Sequence, residues 1–332
     1  MRAMQVVALA GGIGGARFLR GLLSHLSAAR IEAEVTVIGN TADDIVLHGL
    51  HVSPDLDTVM YTLGGGIHPE QGWGRAEETR AVQQELAAYG EGPDWFALGD
   101  RDIATHLVRT RLLSEGATLS EATAALCRRW RPGVRLLPMS DDPVTTHVTL
   151  ADAAAPGGTR TVHFQEYWVR LHAPDALAVT PVGAEKATPA PGVVEAIGAA
   201  DVVLLPPSNP VVSIGTILAV PGIAEAVAAT AAPVVGLSPI IGGAPVRGMA
   251  DKMLAAIGVP TSAAAVALHY GPRSAGGVLD GWLVDTADAA SVAIVEAAGI
   301  RCRAVPLLMS DVSATAAMAA ETLALAATVA RR

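Results

Sequence analysis

At 332 residues the chain is long enough for a large core in one or two domains, and 51% hydrophobic with 17% charged residues is a globular composition. A net charge of -9 argues against a nucleic-acid protein, whose affinity needs a basic stripe, so a phosphorylated substrate must find local arginines or a metal. Cys127 and Cys302 lie far apart with no C-x-x-C, and no signal peptide precedes the first strand, which sets the expectation of a reducing cytoplasm. Val202 to Ala224 carry no charge, but Pro206, Pro207, Pro210 and Pro221 interrupt the run, so buried strands and loops are expected and not a membrane helix.

The first strong pattern is the apolar run Val6 to Ala10, followed by Gly11, Gly12, Ile13, Gly14, Gly15, Ala16 and Arg17. It reads as strand, glycine loop and helix, with Phe18, Leu19, Leu22 and Leu23 recurring at helical spacing. Such a loop aims backbone N–H groups at a guest from the positive end of the helix, and phosphate is the usual guest. The loop departs from the common fingerprints. Arg17 stands where a dinucleotide motif wants a third small residue, no Lys-Ser or Lys-Thr follows, and the second strand, Glu34 to Ile38, ends in Gly39 and Asn40 instead of an acid for the ribose. Nicotinamide binding is therefore disfavoured, and a purely structural glycine turn is the plainer alternative.

Asn40, Thr41, Ala42, Asp43 and Asp44 come next, then Ser53, Pro54, Asp55, Leu56, Asp57 and Thr58. Four carboxylates thus fall within fifteen residues, after the carboxyl end of a parallel strand, where open α/β sheets bind ligands. If Asp55 to Asp57 is extended, the two carboxylates share a face. Hard oxygen ligands beside a phosphate loop suit Mg²⁺, whereas the bland reading is helix capping and turn chemistry.

From Gly64 to about Phe164 the pattern is helical, with segments expected at Arg75 to Tyr89, Asp102 to Leu113 and Ser120 to Trp130. Asp100 or Asp102 can cap a helix, while Arg101 beside them is a fork for phosphate or carboxylate. Met139, Ser140, Asp141, Asp142 and Pro143 form a second polar stretch. Phe164, Tyr167 and Trp168 read individually as core; with Trp73 and Trp95 they are candidates to line a slot for a flat ring. His68, His106, His147 and His163 show no metal-ligand spacing. Buried strands are then expected at Asp201 to Leu205, Pro233 to Leu237, Ala265 to Leu268, Gly281 to Val284 and Cys302 to Leu308. The loops Pro206 to Pro210 and Ser238 to Gly243, with Arg247 and Gly248 beyond, should converge on the crevice facing the glycine loop. The last segment, Asp311 to Ala330, reads as an Ala-rich docking helix capped by Asp311 or Ser313.

Taken in order, the glycine loop, N-T-A-D-D (Asn40 to Asp44), P-D-L-D-T (Pro54 to Thr58), G-D-R-D (Gly99 to Asp102), M-S-D-D-P (Met139 to Pro143), H-F-Q-E-Y-W (His163 to Trp168), P-S-N-P (Pro207 to Pro210) and S-P-I-I-G-G (Ser238 to Gly243) form one set. The set resembles the 2-phospho-L-lactate transferase family, which in actinobacteria is the phosphoenolpyruvate transferase of coenzyme F-420 synthesis. The resemblance implies a Rossmann-like, mainly parallel sheet in residues 1–64 and 179–332, with a mainly helical insertion at 65–178 that contributes to a deazaflavin site. It implies transfer of a phospho-acid from its guanosine diphosphate ester to the ribityl hydroxyl of the deazaflavin alcohol 7,8-didemethyl-8-hydroxy-5-deazariboflavin, with release of GMP. By the same resemblance Asp43 and Asp57 hold Mg²⁺, and Gly11, Gly12, Gly14 and Gly15 cradle the diphosphate. Ser208 and Asn209 help bind guanosine, while Arg101 and the aromatic group, Trp168 included, serve the deazaflavin or the transferred phosphoryl. Arg17, Asn40, Ser140 and Asp141 complete the expected substrate contacts. Asp57 or Asp55 is the expected general base. A homodimer in the cytoplasm, with small molecules as the only other partners, is also implied. The alternative is a non-catalytic nucleotide-sugar-binding regulatory protein of the same superfold, against which P-D-L-D-T and G-D-R-D argue.

Overall fold

The computed structural model describes residues 2–330. The chain opens with β1 (Met4–Ala10), α1 (Gly12–Ala28) and β2 (Ala33–Gly39), then a short hairpin of β3 (Ile45–Leu47) and β4 (Leu50–Val52) leads into α2 (Pro54–Leu63). Three helices follow, α3 (Ala81–Ala88), α4 (Asp100–Ser114) and α5 (Leu119–Trp130), before β5 (Arg135–Pro138). Next come β6 (Thr145–Ala151), β7 (Thr159–His163) and β8 (Ala176–Val182). The chain then returns to α/β rhythm with α6 (Val193–Ala199), β9 (Val202–Leu205), α7 (Ile214–Leu218), α8 (Ile223–Ala229) and β10 (Val234–Leu237). A two-residue hairpin, β11 (Ile240–Ile241) and β12 (Ala244–Pro245), precedes α9 (Ala250–Ala256) and α10 (Ala263–Tyr270). The last elements are β13 (Gly281–Val284), α11 (Ser291–Ala297), β14 (Arg301–Ala304) and α12 (Val312–Val329).

Seven strands form one parallel sheet in the order β14-β13-β10-β9-β1-β2-β5. Both faces are covered, so the strands read as unbroken apolar runs. Along β1, Val7 and Leu9 pack with Ile197, Ile217 and Val227 of α6, α7 and α8, while Val6, Ala8 and Ala10 pack with Phe18, Leu19 and Leu22 of α1. The order reverses at β1: the chain moves outward through β2 and β5 on one side and through β9, β10, β13 and β14 on the other. The crevice beyond the carboxyl ends of β1 and β9 is therefore the switch point where such sheets bind ligands.

Three expectations need correction. The insertion carries more than helices: β6, β7 and β8 form a separate antiparallel sheet, and β5 joins the main sheet beside β2. The boundary at 179 cuts through β8. Ala265 to Leu268 lies inside α10, because alanine favours helix and the Ser262 hydroxyl caps the first turn by accepting from Ala265 N at 3.1 Å. A short apolar run has no period that separates a buried strand from a buried helix.

The uncharged run from 202 resolves into β9 and a proline loop, as expected, and then the short helix α7, which was not. Among the described residues α12 alone has the length and apolarity to cross a membrane. Its buried residues, including Thr315, Met318, Ala319 and Leu325, pack into the core on α1, and Asp311 caps it by accepting from Ala314 N at 2.8 Å. The two helices approach so closely at Gly21 that a Cβ there would stand 2.4 Å from Thr315 Cγ2.

Candidate active site

The crevice is built where the loops after β1, β2 and β9 meet the start of α2. The chain enters α1 without a loop: Gly11 is its N-cap, no side chain caps it, and its first-turn N–H groups face the crevice end of the sheet. The Ser208 hydroxyl donates to Gly11 O at 2.9 Å. A Cβ on Gly14 would stand 2.2 Å from Pro207 O, one on Gly15 2.7 Å from Ser208 Oγ, and one on Gly11 2.6 Å from Asp55 Oδ2. These three glycines thus let the protein close on itself. Gly12, at φ +61°, provides the positive-φ turn into the helix.

The acid cluster gathers here. Asn40 is fully buried; its Nδ2 donates to Asp55 Oδ2 at 2.9 Å and to Val212 O at 3.2 Å, while its Oδ1 accepts from Ala42 N and Thr216 Oγ1. With every polar side-chain atom engaged, Asn40 orients Asp55 and leaves no group for a ribose. Asp55 also takes the Gly12 N–H, so its carboxylate sits at the positive end of α1. Burial nevertheless raises it to about 6. Asp43 is pushed well above the ordinary carboxylate range, first by burial and then by the charges of Asp55 and Asp44. Burial raises Asp44 too, against the opposing pull of the Ser53 hydroxyl, which donates to it at 2.6 Å, and of Arg109. Asp43 Oδ1 and Asp44 Oδ1 are buried with no partner. The antiparallel sheet steadies this loop: His163 Nε2 lies 3.0 Å from Asp44 O, and Gln165 Nε2 donates to Asp43 O at 3.3 Å.

Asp55 and Asp57 do not share a face, because Pro54 at the first helical position starts α2 and the two acids lie about 200° apart around it. Asp57 turns to α4, where both its oxygens accept from Arg109, Oδ2 from Nη1 at 3.1 Å and Oδ1 from Nη2. Arg109 Nη1 also lies 3.2 Å from His106 Nδ1, and Asp102 beyond accepts from Tyr61 OH at 2.6 Å. Arg109 and His106 are fully buried. Sequence reasoning missed Arg109 and gave His106 no role, yet Asp102, His106 and Arg109 recur at one face of α4 while Leu107 and Val108 are exposed. That polar stripe on a helix with apolar residues outward was the available signal.

A divalent cation fits Asp43, whose Oδ1 is buried and unpartnered, better than Asp57, whose two oxygens Arg109 occupies. The carboxylate charges acting on Asp43 are those of Asp55 and Asp44, while Asp57 is engaged by Arg109. Among the described residues no three His, Cys, Asp or Glu side chains form a ready-made cage, but Mg²⁺ takes only one or two carboxylates.

Comparison with known proteins bears on which chemistry this crevice performs. The model of the 2-phospho-L-lactate transferase CofD family matches residues 6–317. The chain belongs to that family. The transferase is 70% identical over 324 residues to a phosphoenolpyruvate transferase of Kitasatospora aureofaciens, covering 97% of this chain and 98% of the relative. It is 53% identical over 321 residues to one of Mycolicibacterium smegmatis, covering 95% and 96%. Among solved structures, a UPF0052 family protein from Bacillus halodurans matches with a TM-score of 0.61 at 18% identity, covering 97% of this chain and 99% of that one; this likeness concerns the fold alone.

In the transferase the remaining expected residues scatter. Arg17 lies partly buried on α1, beside Arg247. Arg101 is exposed and pairs with Glu77 at 3.2 Å at the start of α4, whose N–H groups are capped by Glu78. Ser140 Oγ donates to Thr188 O, and Asp141 accepts from Ser120 N, so both tie loops together. Asn209 Oδ1 accepts from Val211 N and Val212 N, and with Ser208 it shapes the loop against α1. The aromatic slot does not assemble: Phe164 and Tyr167 are buried under the antiparallel sheet, while Trp168 is exposed. Trp73 instead lines a cavity of about 210 Å³ with His68, Arg75, Glu78 and Asp102.

Proposed function

We propose that the transferase moves a phospho-enolpyruvyl or 2-phospho-L-lactyl group from its guanosine diphosphate ester to the ribityl hydroxyl of the deazaflavin alcohol, releasing GMP, in coenzyme F-420 biosynthesis. The observation that carries the reading is the meeting, at the switch point, of α1's uncapped N-terminus with Asp43 and Asp55. The relatives' name, phosphoenolpyruvate transferase, supports the enolpyruvyl donor.

The diphosphate would lie against the first-turn N–H groups of α1. Asp43 would hold Mg²⁺, which when bound supplies charge neutralisation at the phosphates. Asp55, raised to about 6, is suited to act as general base near neutral pH, whereas Asp57 is committed to Arg109. Asp55 takes the proton of the ribityl hydroxyl; its oxygen forms a bond to the phosphorus carrying the acid, and the bond from that phosphorus to the GMP oxygen breaks. Positioning carries most of the acceleration in such a transfer. The cavity lined by Trp73 and Arg75, next to Asp102, is the proposed entrance for the deazaflavin ring. Two copies of the chain would form the active particle.

GDP with Mg²⁺ is expected to raise the melting temperature, while NAD and UDP-sugars leave it unchanged. Stabilisation by a UDP-sugar but not by GDP would favour a regulatory nucleotide-sugar protein instead.

A further inference from the structure

Arg17 and Arg247 stand close together beside Ile13 in the first turn of α1 without a carboxylate partner, and Arg20 adds its charge to theirs. Arg17 Nη2 and Arg247 Nη1 would lie 3.6 and 3.4 Å from a Cβ built on Gly72, and Ile13 Cγ2 3.1 Å from it. Arg20 is the third: its charge and that of Arg247 disfavour the Arg17 cation, after burial, which disfavours it most. Among the described residues none of the three pairs with a carboxylate. Like charges held together at such a cost call for an anion between them. Arg247 follows the β11–β12 hairpin, and its Nη2 donates to Gln71 O at 2.7 Å, which bridges the hairpin to the segment before α3 and leaves Nη1 on the Arg17 side.

Resting on the function proposed above, the donor ester has two anionic parts, the diphosphate and the carboxylate of the acid. Asp43 and Asp55 repel any anion not neutralised by a metal, so the acid's carboxylate is driven away from them. Arg17 leans back along α1 toward its N-terminus, as helical side chains do, and so reaches the turn next to the diphosphate cradle. We propose that Arg17 and Arg247 together bind the carboxylate of the acid carried on the donor's terminal phosphate, with Ile13 against its carbon chain. The pair thereby selects an acid ester over GDP or a neutral guanosine diphosphate ester.

Titration calorimetry with Mg²⁺ present, using GDP and the guanosine diphosphate ester of lactate, tests this on wild type, Arg247→Gln and Arg247→Lys. Arg247→Gln is expected to weaken ester binding by about tenfold to a hundredfold and to leave GDP within about twofold; Arg247→Lys recovers part of the loss. Arg17→Gln, on the more rigid α1, should show the same pattern. Equal losses for GDP and ester, or no loss for either, overturn the assignment while wild-type binding of both ligands leaves the functional reading intact. A wild-type protein that binds neither ligand overturns that reading and the assignment with it.

Discussion

Asp55→Asn is expected to abolish transfer while raising the melting temperature of the metal-free protein at neutral pH. Loss of a positioned general base costs about a hundred- to ten-thousand-fold in rate. The gain in stability has a separate cause. Asp55, Asp43 and Asp44 lie beside one another; burial raises all three, and the neighbouring carboxylate charges raise Asp43 and Asp44 further. Asparagine keeps an oxygen to accept from Asn40 Nδ2 and Gly12 N but carries no charge into the cluster. The sign of the pH dependence follows. The folded protein holds a proton on Asp55 up to about pH 6, the unfolded chain only to its ordinary value of 3.8. Between those values the folded state binds more protons, so wild-type stability falls as pH rises through about 6. Thermal melts of metal-free wild type and Asp55→Asn should therefore converge in acid and separate toward neutrality, with the variant higher. A variant that melts lower than wild type at neutral pH, or that transfers at a near-normal rate, contradicts the role given to Asp55.

Arg109→Met is expected to produce the largest loss of stability, about 3–5 kcal/mol by urea unfolding, because it leaves the buried Asp57 carboxylate without its partner. Asp57 lies on α2 and Arg109 on α4, so the pair pins the helical segment against the wall of the crevice. Replacing both, Arg109→Met with Asp57→Leu, should recover most of the loss, since two apolar side chains need no charge compensation. A loss below about 1 kcal/mol for Arg109→Met would mean that Asp57 is neutralised by another group, and a cation at Asp57 would then regain its place.

The parallel core was legible because its signals are local: five apolar residues into a glycine turn at β1, the apolar run of β9 before its proline loop, and Asp311 capping α12. The carboxylate cluster was legible for the same reason, since loops after parallel strands converge whatever their distance in sequence. Its internal assignment was not. Asp55 and Asp57 separate because α2 begins at Pro54, one residue before them, and an extended stretch would have placed them together. The polar stripe on α4 marks Arg109 but not its partner: the contact with Asp57 arises only when α4 docks on α2, across 52 residues of sequence. The antiparallel sheet was hidden behind the helices that precede it, and its β7 end supplies the contacts of His163 and Gln165 to the acidic loop. A motif read as a flat-ring slot thus supports the carboxylates from behind.

The central claim is the group transfer itself. Purified protein incubated with the deazaflavin alcohol, Mg²⁺ and each guanosine diphosphate ester separately, followed by mass analysis of the deazaflavin, tests it directly. The expected result is a deazaflavin product heavier by the phospho-enolpyruvyl or phospho-lactyl group, with GMP released in equal amount and with Asp55→Asn inactive. An unchanged deazaflavin with both esters, while GDP still binds, would contradict the account.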